Sequence, residues 1–173
     1  MKIDRMRIPV FVSCPSHLSK EQEASAKIIH DLIRKYQLEW RALGRSDYPG
    51  KLPLREVLRM IKHCSGGIIL GFEQFRADSG IAWRGTSKET PVRNPVVFPT
   101  PWNQLEAGIL FNQKLPMMIF KEEGISGGIF DLGITDVFIH KMPNKSTSKD
   151  ALGDLDSVFQ QWVAEVKNKY YED

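Results

Sequence analysis

The sequence predicts an α/β protein: a flavodoxin-like, doubly wound sheet of five parallel strands flanked by helices. Three observations carry this. Short runs at 7–13, 66–72 and 117–120 are almost continuously apolar, as in strands covered on both faces. Between them lie segments whose apolar residues recur at helical spacing. The two kinds of segment alternate, which implies helical crossovers and a parallel sheet. Right-handed crossovers and short connections then favour the flavodoxin-like order.

The elements follow in chain order. Residues 7–13 read as the first strand, with Pro9 tolerable near its start. Ser19 caps the next helix, and Gln22 stands three residues later as in a capping box. Ala24, Ile28, Ile29, Leu32, Ile33 and Tyr36 form its apolar stripe. Residues 38–43 read as a second strand and 44–50 as a turn-rich loop. Leu54, Val57, Leu58 and Ile61 give the second helix its buried face, with His63 in its last turn. The strand at 66–72 is central. Residues 73–99 lack clear periodicity, apart from a short strand at 96–98, and so long a connection is often functional.

A helix starts at Thr100, a good N-cap, with Pro101 in its first position. Leu105, Ile109 and Leu110 mark its apolar face, and it ends before Pro116. Met117 and its neighbours form the fourth strand, and 136–140 the fifth. The glycine-rich turn at 124–128 leads into a short helix before Leu132. A last helix carries Leu155, Val158, Phe159, Trp162, Val163 and Val166 on one face and closes the sheet.

The 173 residues suit a single domain with a sizeable core. A net charge of +3 without blocks of like charge does not indicate a nucleic-acid partner. No apolar run approaches the roughly 18 residues of a membrane span, and no signal-peptide core opens the chain, so a cytoplasmic protein is expected. Cys14 and Cys64 read as reduced thiols. Cys14 with His17 is half of a metal site, so no metal site is expected.

In doubly wound sheets, ligands bind at the carboxyl ends of the strands. That edge collects Ser13 after the first strand, Arg45 and Ser46 in the following loop, Phe72 after the central strand, and the start of the helix with Trp102, Asn103 and Glu106. Glu106 is the best candidate for catalysis. It lies early in its helix, where the dipole favours an ionised carboxylate. Ser13, Arg45, Ser46, Phe72, Trp102 and Asn103 are the candidate substrate contacts, and Arg45 and the 124–128 amides are candidates for phosphate.

The segments Val10-Phe11-Val12-Ser13, Gly67-Ile68-Ile69-Leu70 and Pro101-Trp102-Asn103-Gln104-Leu105-Glu106 resemble motifs of TIR domains. In the last, a tryptophan precedes a helical glutamate by four positions. Glu106-Ala107-Gly108-Ile109-Leu110 with Lys114-Leu115-Pro116 is similar to nucleoside 2-deoxyribosyltransferases, which share the architecture and the N-ribosyl chemistry. The resemblance implies that NAD is consumed as a substrate, with no separate cofactor, in immune or defence signalling. It yields nicotinamide and ADP-ribose or a cyclic isomer. Glu106 would supply the carboxylate, and Trp102 would shape the pocket.

Three functions follow. One is an NAD glycohydrolase or cyclase. A second is a deoxyribosyltransferase or nucleotide N-glycosidase acting on nucleosides or nucleotides. The third is a non-catalytic adaptor or ligand sensor working by assembly, which brings in a homo-oligomer. The plain rivals are a solvated helix carboxylate for Glu106, a packing role for Trp102, a strand end for Ser13 and surface charge for Arg45.

Overall fold

The computed structural model describes residues 7–47 and 52–172. In chain order the elements are β1 (Ile8–Ser13), α1 (Lys20–Lys35), β2 (Leu38–Arg41), α2 (Pro53–Ile61), β3 (Gly67–Gly71), β4 (Phe75–Ala77), β5 (Gly80–Ala82), β6 (Thr90–Val92), β7 (Val96–Phe98), α3 (Pro101–Asn112), β8 (Met117–Lys121), β9 (Ile139–Lys141) and α4 (Lys149–Glu172). A single 3-10 turn, Gly128–Phe130, stands where a short helix is expected.

Five strands form one sheet in the order β2-β1-β3-β8-β9, and every pair in it is parallel. This is the flavodoxin-like order. The chain winds outward first to one side of β1 and then to the other, so the order reverses between β1 and β3. Helices cover both faces. On one, α1 and α4 pack on Val10, Val12, Leu70, Phe72 and Phe120. On the other, α2 and α3 pack on Phe11, Ile69, Met117 and Ile119. The period-two alternation of each strand divides its side chains between the two faces. Val10, Val12, Ile69 and Met118 are all core residues, as the pattern predicts.

α1 begins with the expected capping box: the Gln22 amide N–H donates to Ser19 Oγ (3.2 Å) and the Ser19 N–H to Gln22 Oε1 (3.1 Å). The Gln22 side chain also reaches across the carboxyl edge, donating to the Glu73 carbonyl (3.0 Å) and to Glu122 Oε2 (2.9 Å). Glu122 Oε2 accepts in addition from the Glu73 N–H (2.6 Å). One side chain from α1 and one from just beyond β8 thereby clamp the exit of β3.

Several elements differ from expectation. α2 buries Glu56, Val57, Met60 and Ile61, whereas Leu54 and Leu58 are exposed. The helix is rotated so that the Glu56 carboxylate, paired with Arg59 at 2.7 Å, lies at the edge of the buried stripe. It ends at Ile61, so His63 lies past its last turn. β2 stops at Arg41, because the Ala42 carbonyl accepts from the amides of Arg45, Ser46 and Asp47 and turns the chain. Tyr48, Pro49 and Gly50, expected in that loop, fall outside the described residues. The fifth strand is Ile139–Lys141 rather than 136–140, since its register is set by Ile139 opposite Ile119.

The largest difference is residues 73–99, which form an ordered two-stranded arm. β4 pairs with β7 and β5 with β6, both antiparallel, and Trp83 and Gly85 at the tip take positive φ. Its strands have three residues each, too short for a readable period. The base of the arm is fastened to the body by a bridge between Val97 and Ile125. No described helix is long and apolar enough to cross a membrane.

Candidate active site

α3 enters at the carboxyl edge of the sheet. Thr100 takes the extended conformation of an N-cap, and Pro101 occupies the first turn. Its hydroxyl does not cap the backbone; it donates to Asn103 Oδ1 at 3.1 Å. The buried side of the helix is Asn103, Glu106, Ala107 and Leu110, a stripe at i, i+3, i+4 and i+7. Leu105, expected on that face, is exposed, and Ile109 is only half-buried. The sheet-facing stripe of α3 therefore carries two polar side chains at its first turns and apolar ones further on. The close approach continues at Leu110, which packs against Gly67 of β3 where a Cβ would collide with it.

The two polar residues meet the ends of β1 and β3. Asn103 Nδ2 donates to Ser13 Oγ at 2.7 Å and to the Leu70 carbonyl at 3.4 Å. Ser13 lies beside the Glu106 carboxyl group and favours its ionised form. Ser13 accepts from Asn103, so its single proton is available for Glu106. The bonds from Thr100 to Asn103 and from Asn103 to Ser13 thus run one way, toward the carboxylate. They span β1 and β3, the point at which the strand order reverses.

Asn103 (1% exposed), Ser13 (1%) and Glu106 (7%) are buried. Burial pushes the Glu106 carboxyl up from its usual 4.5 to about 7, and the neighbouring Ser13 hydroxyl partly opposes the rise. The expected helix-dipole preference for the ionised form is overridden by desolvation. Next to Ser13, burial pushes the Cys14 thiol up to about 12; Arg45 opposes this, while the Glu23 and Glu106 carboxylates add to it. Cys14 is therefore a protonated thiol at neutral pH and no nucleophile.

Of the residues expected at the site, Ser13, Asn103 and Glu106 come together in this network. Trp102 sits beside Asn103 on the exposed side of α3's first turn, 41% exposed. Arg45 is held by Glu23 (2.7 Å) and the Pro15 carbonyl (2.7 Å), beyond the end of β1. Ser46 is a turn residue: its hydroxyl accepts from the Ala42 N–H at 2.7 Å and donates to Asp47 at 2.8 Å.

Phe72 is corrected to a core residue. It is fully buried on the α1 and α4 face, the opposite side from Ser13 and Glu106, and offers no surface to a substrate. Alternation along β3 puts position 72 on the same side as Leu70, and that parity was readable in the sequence.

At the glycine turn the Gly127 N–H donates to Asp131 (2.8 Å), and just beyond it the Ile129 N–H donates to Gln104 Oε1 (3.0 Å), so these two amides are engaged within the protein. Gln104 also donates to the Gly127 carbonyl at 3.0 Å and straps this turn to α3. Sequence reasoning passed over Gln104; its place between Asn103 and Leu105, on a third side of the helix, was the available signal.

Three cavities of about 570, 850 and 490 Å³ open on the surface, and none of these three is lined by Ser13, Asn103 or Glu106. The network is closed over in this conformation. Among the described residues, no group of three or more His, Cys, Asp or Glu side chains is arranged to hold a metal ion.

No family model matches the sequence, and no curated protein matches it significantly. Solved structures do match. Diflavin flavoprotein A3 from Nostoc sp. has 15% identity and a TM-score of 0.52, with 96% of each chain covered. The Flv1 flavodiiron core from Synechocystis sp. has 14% identity and a TM-score of 0.51, over 94% of this chain and 36% of that one. A CMP N-glycosidase from Clostridium botulinum, BcmB, has 15% identity and a TM-score of 0.49, over 86% of this chain and 98% of that one. At these identities the likeness concerns the α/β fold. None of the three is described as a TIR domain.

Proposed function

We propose that the chain is an N-glycosidase that cleaves the N-ribosyl bond of NAD, with Glu106 as its catalytic carboxylate. One observation carries this reading. A carboxylate is buried where the strand order reverses, beside Ser13, and its pKa is raised to about 7. A buried carboxylate there repels a phosphate and attracts a cationic sugar.

The chemistry uses few parts. As the bond between the anomeric carbon and the pyridinium nitrogen breaks, nicotinamide leaves with the bonding electron pair as a neutral molecule. The ribosyl group becomes oxocarbenium-like, and ionised Glu106 stabilises that charge or adds to the anomeric carbon. Water then supplies the hydroxyl of ADP-ribose, and its proton passes to Glu106 and on to solvent. A carboxyl with a pKa near neutrality suits that exchange. Ser13 and Asn103 are positioning residues that orient the carboxylate. Trp102, exposed beside the network, would border the entering substrate. The TIR-like segments add NAD as the substrate and defence signalling as the setting, in a cytoplasmic protein.

The test is incubation of the purified protein with NAD, ribonucleosides, 2′-deoxyribonucleosides and nucleoside monophosphates, with chromatography of the released base. Nicotinamide release from NAD is the expected result. Base release from nucleosides or monophosphates alone would move the substrate class. Absence of any release would leave an adaptor or sensor that works by assembly.

A further inference from the structure

Arg45 and Ser46 line a cavity of about 570 Å³ at the outer edge of the sheet, between α1 and β2. Its volume falls within the roughly 300–1,000 Å³ typical of small-molecule sites. α1 contributes Ala24 and Ala26, small residues that leave the space open, and Glu23 at the rim. Trp40 of β2 forms the facing wall, with the His30 ring edge-on to it at 5.6 Å and 62°.

The cavity is joined to the Glu106 network by covalent and polar links. Arg45 lines it and donates to the Pro15 carbonyl at 2.7 Å, two residues beyond Ser13. The same guanidinium is paired with Glu23 at 2.7 Å, which fixes the rim. The cavity thus adjoins the carboxyl end of β1, the strand that delivers Ser13 to the catalytic network.

We propose that this cavity holds the uncleaved nucleoside of a dinucleotide substrate, the adenosine half of NAD, with its base beside Trp40. This rests on the N-glycosidase reading and deepens it. An aromatic wall takes a purine by stacking, and the exposed Glu23 carboxylate is placed to accept from ribose hydroxyls. Arg45 and Lys27 stand on the rim paired with Glu23 and Asp31, and a diphosphate would exchange for those carboxylates. A mononucleotide substrate would leave the cavity empty, so it separates dinucleotide from mononucleotide chemistry.

The experiment uses two variants of the full chain, Trp40→Leu, which removes the wall, and Ala24→Leu, which fills the space without removing any group. Two measurements are made on each and on the parent. One is the ratio of kcat/KM for NAD to that for nicotinamide mononucleotide, which has the same scissile bond but no adenylate. The other is calorimetric binding of free ADP-ribose. Both should fall about tenfold or more in both variants. An unchanged ratio together with unchanged ADP-ribose affinity would overturn the proposal. If the parent cleaves neither substrate, the catalytic reading of Glu106 fails by itself and the binding measurement decides. ADP-ribose binding lost on Ala24→Leu supports the cavity, and parent protein that does not bind ADP-ribose overturns it.

Discussion

Glu106 is a carboxyl group whose folded environment favours its neutral form. The sign of its effect on stability follows. Its pKa rises from 4.5 to about 7 on folding, so the folded state holds this proton more tightly than the unfolded one. The contribution is fully present below about 4.5 and is lost as pH rises through about 7. Above that, burying the charge opposes folding by up to about 3 kcal/mol. Glu106→Gln should therefore be more stable than the parent at pH 8 and nearly equal to it at pH 4, by denaturant midpoint at both pH values. Ser13→Ala tests the relay. It removes the hydroxyl that restrains the rise, so the acidic limb of the pH–rate profile should move to higher pH. Stability should fall by about 1–3 kcal/mol, because the buried Asn103 amide loses its 2.7 Å partner. The sequence placed Ser13, Asn103 and Glu106 at one sheet edge from chain order alone. It could not show that Thr100 turns its hydroxyl to Asn103 instead of the backbone, since both bonds suit the same residue types. It could not show the raised pKa, because the helix dipole is a local property and desolvation comes from tertiary packing.

α3 carries the site because its inward stripe starts polar and ends apolar. Apolar periodicity selects Leu105, Ile109 and Leu110, of which Leu110 alone is fully buried, because a buried Asn and Glu do not register as an apolar face. The same weakness affected α2, where buried Glu56 lies at the edge of the apolar stripe. The seat of α3 depends on Gly67. A methyl group there meets the buried Leu110 side chain, so Gly67→Ala should lower stability by about 1–3 kcal/mol and reduce turnover by displacing the Glu106 end of the helix. Thermal unfolding and kcat on the same sample check both effects. The arm from β4 to β7 is the other element with a functional prospect. It bears exposed Phe75, Ile81, Trp83 and Phe98, and it leads directly into the start of α3. If it closes over substrate, amide exchange within 73–99 should slow when NAD or ADP-ribose is bound. Equal exchange in the free and bound protein would count against closure. β7 was legible from Val96-Val97-Phe98, whereas β4, β5 and β6 escaped sequence reading because three-residue segments carry no period.

At the scale of the whole molecule, the five-stranded parallel order was legible because it depends on alternation and handedness, which short segments already express. The order reverses between β1 and β3, and Asn103 spans those two strands through Ser13 and the Leu70 carbonyl. The fold therefore places a carboxylate where doubly wound sheets bind ligands, and holds it at a pKa near neutrality. The most direct measurement compares base release from NAD by the parent protein and by Glu106→Gln at pH 8, above the pKa of the parent carboxyl. The account predicts nicotinamide release by the parent and a fall of about 100-fold or more in kcat for the variant, with ADP-ribose affinity little changed. An active parent whose Glu106→Gln form cleaves NAD at the same rate would contradict it.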